Sequence, residues 1–97
     1  MGNKYKNIVN EINDFCDKVI ACDISNAYIG ITKDPQRRLF GEHKITNKEH
    51  WWICCKAEDE DTARAVEHHF IRMGMKGGTG GGDNKTVYVY CFARRLQ

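Results

Sequence analysis

Tyr28 and Arg38 stand ten residues apart, the tyrosine among strand formers and the arginine just beyond Asp34-Pro35. A tight turn between them would let both side chains face one pocket. A tyrosine whose pKa is lowered by its neighbours can activate water. An arginine presents a planar fork that matches phosphate oxygens. The pair therefore suits phosphodiester cleavage, in which the pentacoordinate phosphorus gathers negative charge that must be neutralised. The same residues also read as a half-buried strand tyrosine and a solvated Arg37-Arg38 helix face.

Glu67 is the next candidate. It lies four residues after Ala63 and three before Phe70, on or beside the apolar stripe of a helix. A core-facing carboxylate is uncommon unless it is paired or holds a metal. One carboxylate completed by waters is a usual protein contribution to a Mg²⁺ site; a glutamate at the stripe's edge, paired to an arginine, is the plainer reading. His68-His69 cannot share a face at i,i+4, so the H-E-x-x-H zinc arrangement is absent, and His69 is expected to be the more exposed of the two. His43 and His50 are isolated. The glycines at 77, 78, 80, 81 and 82 could bring backbone amides to an anion, Gly80 among them. Yet this stretch runs from helix to strand, the reverse of phosphate-cradling loops, and Asn84 precedes Lys85-Thr86 where a P-loop needs glycine. A flexible connection or a substrate-facing loop is the expectation, with Asn84 able to fix a phosphate or orient a carboxylate.

These residues need elements to hold them. Tyr5, Ile8, Val9, Ile12, Phe15, Cys16 and Val19 recur at helical spacing and predict an amphipathic helix over 3–19. Residues 20–26 read as a loop or a brief strand. Residues 27–32 predict a strand that Gly30 weakens locally. Asp34 is a natural cap and Pro35 suits a first helical turn, so a second helix is expected from there to about Lys44. Residues 50–57 are rich in strand formers. The acids of 58–61 suit the start of a third helix running to about Met73, with Ala63, Val66, Phe70 and Met73 facing inward. Residues 86–92 are the clearest strand. The expected fold class is α+β: a small single domain over 1–97, with a short antiparallel or mixed sheet of about three strands flanked by three helices.

The run Tyr28-Ile29-Gly30-Ile31-Thr32-Lys33-Asp34-Pro35-Gln36-Arg37-Arg38-Leu39 resembles the second half of the signature of the GIY-YIG nuclease family. The resemblance covers roughly 27–90. It implies a three-stranded antiparallel sheet flanked by helices, and DNA phosphodiester hydrolysis with one divalent metal, Mg²⁺ or Mn²⁺. Tyr28-Ile29-Gly30 matches the YIG element, and Arg38 falls at the family's arginine with Arg37 beside it. Glu67 matches the metal-ligand glutamate, and Asn84 follows at a plausible distance. His43 resembles the residue that closes the arginine helix, one position late, with Gly41 as the inserted residue. The family's Gly-Ile-Tyr strand is not upstream of Tyr28, where Lys18-Val19-Ile20-Ala21-Cys22-Asp23 stand instead. The strand at 86–92 looks like that element moved to the other end of the chain. As in a circular permutation, it is expected to pair with 27–32, and Tyr88 or Tyr90 would supply the second tyrosine. Alternation places both on one face and does not choose between them.

Composition narrows the classes. The formal charge of +2 is compatible with nucleic acid without demanding it. Five cysteines, an odd number with no C-x-x-C, argue against a disulfide framework or a structural zinc site and suit buried thiols in a reducing cytoplasm. There is no apolar run of membrane-spanning length and no apolar leader, and Lys6 stands where myristoylation expects Ser or Thr. Three functions fit: a metal-dependent DNA endonuclease; a catalytically inactive module on the same scaffold that binds a nucleotide or other phosphate-bearing ligand; and a protein-interaction domain that forms homo-oligomers through the edge of the 50–57 or 86–92 strand.

Overall fold

The computed structural model describes residues 2–19, 24–78 and 86–95. Its elements are helix α1 (Tyr5–Val19), a 3₁₀ turn at Ile24–Asn26, strand β1 (Ala27–Thr32), a π-wound turn at Arg37–Glu42, strand β2 (His50–Lys56), helix α2 (Glu60–Met73), strand β3 (Lys76–Gly77) and strand β4 (Tyr88–Arg94). One mixed sheet runs β2-β4-β1-β3, with β4 antiparallel to both of its neighbours and β3 parallel to β1.

The sheet has two differently furnished faces. Strand alternation turns Ala27, Ile29, Ile31, Cys55, Val89, Cys91 and Ala93 to one side, where they pack with Ile8, Ile12 and Cys16 of α1 and Ala63, Val66 and Phe70 of α2. The opposite side carries Tyr28, Cys54, Tyr90 and Phe92, which pack with Leu39 of the π turn and Ile45 just after it. Cys54 and Cys55, adjacent in β2, fall on opposite faces as alternation requires.

Local chemistry fixes the ends. The Asp59 carboxylate accepts from the Thr62 N–H and caps α2, and Glu60 and Asp61 complement the positive end of its dipole. Gly74 ends that helix at φ 116°, a left-handed backbone that costs glycine little. It turns the chain so that Met75 is buried and Lys76–Gly77 lies beside β1. Asn3 ties the N-terminal segment to the end of β2, donating to the Lys56 carbonyl at 2.7 Å.

Several expectations are corrected. Lys76–Gly77 is a fourth strand where a glycine loop was expected; two residues are too few to show a period. The clearest strand is the centre of the sheet, paired on both sides, so it offers no edge for oligomerisation; β2 does lie at an edge. Met73, expected to face inward, is the last residue of α2 and is 57% exposed, beyond the cover of the sheet. Tyr5 is exposed as well, and its hydroxyl meets His69 Nδ1 at 3.2 Å, which leaves His69 half-buried and His68 the exposed histidine. Of the loop or brief strand expected over 20–26, Ile24–Asn26 follows the loop alternative as a 3₁₀ turn, and residues 20–23 lie outside the described residues. No described helix is long and apolar enough to cross a membrane.

Candidate functional site

The strand pairing assembles the site. In the β1–β4 register Tyr28 faces Phe92, Gly30 faces Tyr90 and Thr32 faces Tyr88. Gly30 matters here through what it lacks. A Cβ on it would stand 2.4 Å from Tyr90 Cζ and Oη, so the tyrosine ring lies across β1 in the space a side chain would fill. Tyr90 is 1% exposed and stacks at 6.3 Å from Tyr28, ring centre to ring centre. Of the two tyrosines that alternation left open, Tyr90 therefore joins Tyr28. Tyr88 meets Lys56 Nζ at 5.9 Å instead, and no ring contact joins it to Tyr28 or His43 among the described residues.

The π turn supplies the rest. Thr32 Oγ1 accepts from the Asp34 N–H, and Asp34 Oδ1 accepts from the Arg37 N–H, so the turn after β1 is capped as Asp34-Pro35 suggests. Beyond it the hydrogen bonding lengthens. The His43 N–H donates to the Arg38 carbonyl, five residues back, at 2.9 Å. Such a turn absorbs one residue more than an α-helical turn. The wider winding carries His43 back over the sheet. There its Nε2 lies 2.9 Å from the Tyr90 hydroxyl, and its ring sits 4.9 Å from both Tyr28 and Phe92. Lys44 follows at φ 55° and ends the turn.

Charge sets the protonation of this group. Burial, then the charge of Tyr28, pushes the Tyr90 phenol up to about 12; Arg38 opposes this and Glu67 adds to it. Tyr90 is thus a neutral hydroxyl at neutral pH and does not itself deprotonate water. Burial, reinforced by Arg38 and opposed by Glu42, holds His43 below the usual imidazole value, so its ring is neutral at the same pH. It either accepts from Tyr90 or donates to it, as its tautomer dictates. A neutral imidazole beside the half-buried Tyr28 ring is a competent proton acceptor through whichever nitrogen carries no proton.

Glu67 is 3% exposed on the sheet-facing side of α2, and burial raises its carboxyl, with His68 and Arg64 partly opposing. Arg64 is engaged elsewhere, donating to Glu60 at 2.6 Å. Among the described residues no cluster of three or more His, Cys, Asp or Glu side chains could hold a metal ion, so a cation here would take one carboxylate from the protein and the rest of its shell from water. Arg37 and Arg38 both reach Glu42, at 3.6 and 3.5 Å, so one carboxylate occupies two guanidinium groups.

Tyr28, Arg38, His43 and Tyr90 are therefore brought together, and the charge of Glu67 reaches Tyr90. Arg37 lies at the rim, and Gly30 acts as the floor that admits Tyr90 rather than as a contact for a ligand. Gly80 and Asn84 lie outside the described residues. Gly78, at the start of the glycine stretch, is close enough to Tyr28 that a Cβ on it would stand 3.3 Å from the hydroxyl. Two participants escape a reading by residue type. Phe92 is two residues from Tyr90 and so shares its face; Glu42 is four residues from Arg38 and so lies within its reach. Comparison of the chain with family models, with curated proteins and with solved structures returned no match, so the reading of this site rests on its own geometry.

Proposed function

We propose that this chain is a GIY-YIG-like endonuclease that hydrolyses DNA phosphodiesters with Mg²⁺ or Mn²⁺, with its second tyrosine delivered from the C-terminal strand. One observation carries the reading: β4 pairs with β1 in the register that sets Tyr90 opposite Gly30 and so joins Tyr28, His43 and Arg38 in one group. In this reading the neutral His43 ring donates its Nε2–H to the Tyr90 hydroxyl, and its free Nδ1 takes a proton from the attacking water. The Tyr90 hydroxyl orients that ring, and Arg38 neutralises charge on the phosphate. Glu67 would hold the metal ion, which when bound supplies further positive charge at the phosphate. The free thiols Cys16, Cys54, Cys55 and Cys91 suit a reducing cytoplasm.

The test is cleavage of plasmid and single-stranded DNA with Mg²⁺ or Mn²⁺, comparing the wild type with Arg38→Ala and Glu67→Gln. Each variant is expected to lose about 10²–10³ in rate, the scale for removing one preorganised charge-stabilising group. Glu67→Gln should keep or raise Tm, because a buried carboxyl held above 4.5 weakens the fold once it ionises. Activity should fall as pH drops through the lowered pKa of His43, below the ordinary 6.5, where the ring gains a proton. A rate indifferent to both substitutions would sink the proposal.

The near-complete burial of Tyr90 and Glu67 favours a second reading: an inactive module in which only Arg38 and Arg37 meet a nucleotide or phosphate-bearing ligand. It calls for ligand-dependent thermal stabilisation that Arg38→Ala abolishes and Glu67→Gln leaves intact, with no cleavage under either metal.

A further inference from the structure

The site does not end at Tyr28. Phe92 of β4 pairs in register with Tyr28 of β1 on one side and with Trp52 of β2 on the other. Because directly opposed residues share a face, Tyr28, Phe92 and Trp52 form one aromatic row straight across three strands. Tyr28 and Phe92 are stacked at 5.2 Å with their rings nearly parallel. The inner end of the row lies under His43, and the outer end is open: Trp52 is 37% exposed on the edge strand.

That outer end is built rather than loose. The Trp52 indole N–H donates to Asn47 Oδ1 at 2.9 Å, which fixes the ring's direction. Phe40, itself 41% exposed, meets Trp52 edge to face at 5.3 Å. Phe40 belongs to the same π turn that carries Arg37 and Arg38, so the aromatic edge and the cationic edge of the site share one element. Basic residues follow one another along this edge. Arg94 pairs in register with His50, Arg95 donates to the Asn47 carbonyl, and Lys48 lies between Asn47 and the strand. Glu49 is the acid among them and is taken up by Arg94 at 3.2 Å. Trp51, on the other face of β2, is already covered by the Arg95 guanidinium at 3.5 Å.

A fixed, half-exposed indole in contact with the turn that carries a phosphate-directed arginine suits a nucleic acid whose bases are free to stack. We infer that Trp52, with Phe40, is a base-stacking site, and that the nucleic acid held by this chain presents an unpaired base beside the phosphate at Arg38. The inference rests on the phosphate-directed reading of Arg38 and names its substrate class: single-stranded or locally unpaired strands rather than continuous duplex. In a duplex the faces of the bases are closed by their neighbours, whereas each base of an unpaired strand has a face to offer.

The test is fluorescence anisotropy with a labelled short oligothymidylate and with a duplex of equal length. It is run in EDTA so that binding is read without cleavage. The wild type should bind the single strand more tightly. Trp52→Ala should lose about 10-fold or more, the scale of one base–aromatic stack, while Trp52→Phe keeps most of the affinity. Unchanged Tm in both variants would show that the loss is not unfolding. Equal binding by Trp52→Ala and wild type, or preference for the duplex, overturns the inference. So does a wild-type dimer in sedimentation that Trp52→Ala dissociates, because the edge then belongs to a second copy. The two readings fail separately. Metal-dependent cutting of duplex that ignores Trp52 leaves hydrolysis standing and removes the stacking site. Trp52-dependent binding without cutting under Mg²⁺ or Mn²⁺ does the opposite.

Discussion

On one face of the sheet Ile29, Val89 and Cys91 are fully buried beneath two long helices; on the other, Tyr28, Phe92 and Trp52 are only partly covered, by a single π turn and the residues that follow it. Both faces are drawn from the same strands by the same alternation. The difference lies in what covers them. Thick aliphatic cover excludes water and stabilises through buried area, roughly 25 cal/mol per Å². Thin aromatic cover leaves hydroxyl, imidazole and guanidinium groups beside a water-accessible surface, where a ligand can still displace something. Glu67 joins the two: its helix packs on the aliphatic face, while its charge is felt at Tyr90.

The comparison is broken most directly by stability measurements. Phe70→Ala, which empties a site of 1% exposure in the helix-covered core, should cost about 3–5 kcal/mol in urea unfolding, a large part of the stability of a chain this size. Tyr28→Phe, on the other face, keeps the ring and removes one half-exposed hydroxyl, and should cost under about 1 kcal/mol. Equal costs would mean that the aromatic face carries as much of the fold as the aliphatic one.

Gly30→Ala should have an intermediate effect and cross from stability into function. The added methyl would overlap the end of the Tyr90 ring, and that ring is packed between β1 and the π turn with little room to withdraw. We expect a loss of about 1–3 kcal/mol, the scale for overpacking a filled site. Whatever shift relieves the overlap also draws the Tyr90 hydroxyl away from His43 Nε2. An imidazole titration followed by NMR should therefore move with the substitution. An unchanged His43 titration in a folded Gly30→Ala protein would show that the ring makes room without breaking the pair.

Much of this arrangement is readable from sequence, and the exceptions have specific causes. The periodicity of Ile8, Ile12 and Cys16 finds α1, and that of Ala63, Val66 and Phe70 finds α2, because each helix has one covered side. The pairing of the C-terminal strand with β1 is present as expected, and Tyr88-Val89-Tyr90 marks that strand in the sequence. Three features are not readable there. Lys76–Gly77 is too short for any period and is held by the pairing of β1. The π turn runs against a reading that assumes 3.6 residues per turn. The row from Tyr28 through Phe92 to Trp52 depends on register across three strands, and no single segment contains that information. Side-chain type predicts the members of the site; long-range pairing decides which of them meet, and it chose Tyr90 over Tyr88.

The smallest expected effect concerns Glu42 and sharpens what the thinly covered face is for. Its carboxylate sits 3.6 Å from Arg37 Nε and 3.5 Å from Arg38 Nε. On the proposed reading it holds the place that a phosphate would take. All three side chains are substantially exposed, so each pair contributes little to stability, within about 1 kcal/mol. An incoming anion must nevertheless displace this carboxylate, and Glu42→Gln removes that competition while keeping the shape of the side chain. Affinity for oligonucleotide or inorganic phosphate should rise roughly two- to fivefold with Tm almost unchanged. The gain should shrink as salt rises, since exposed charges are screened within about 10 Å at 0.1 M ionic strength. His43 would remain neutral at pH 7, because Glu42 pulls its pKa upward and losing that charge only lowers it further. Affinity that stays level or falls at low salt would mean that Glu42 positions the two arginines for the anion rather than competing with it.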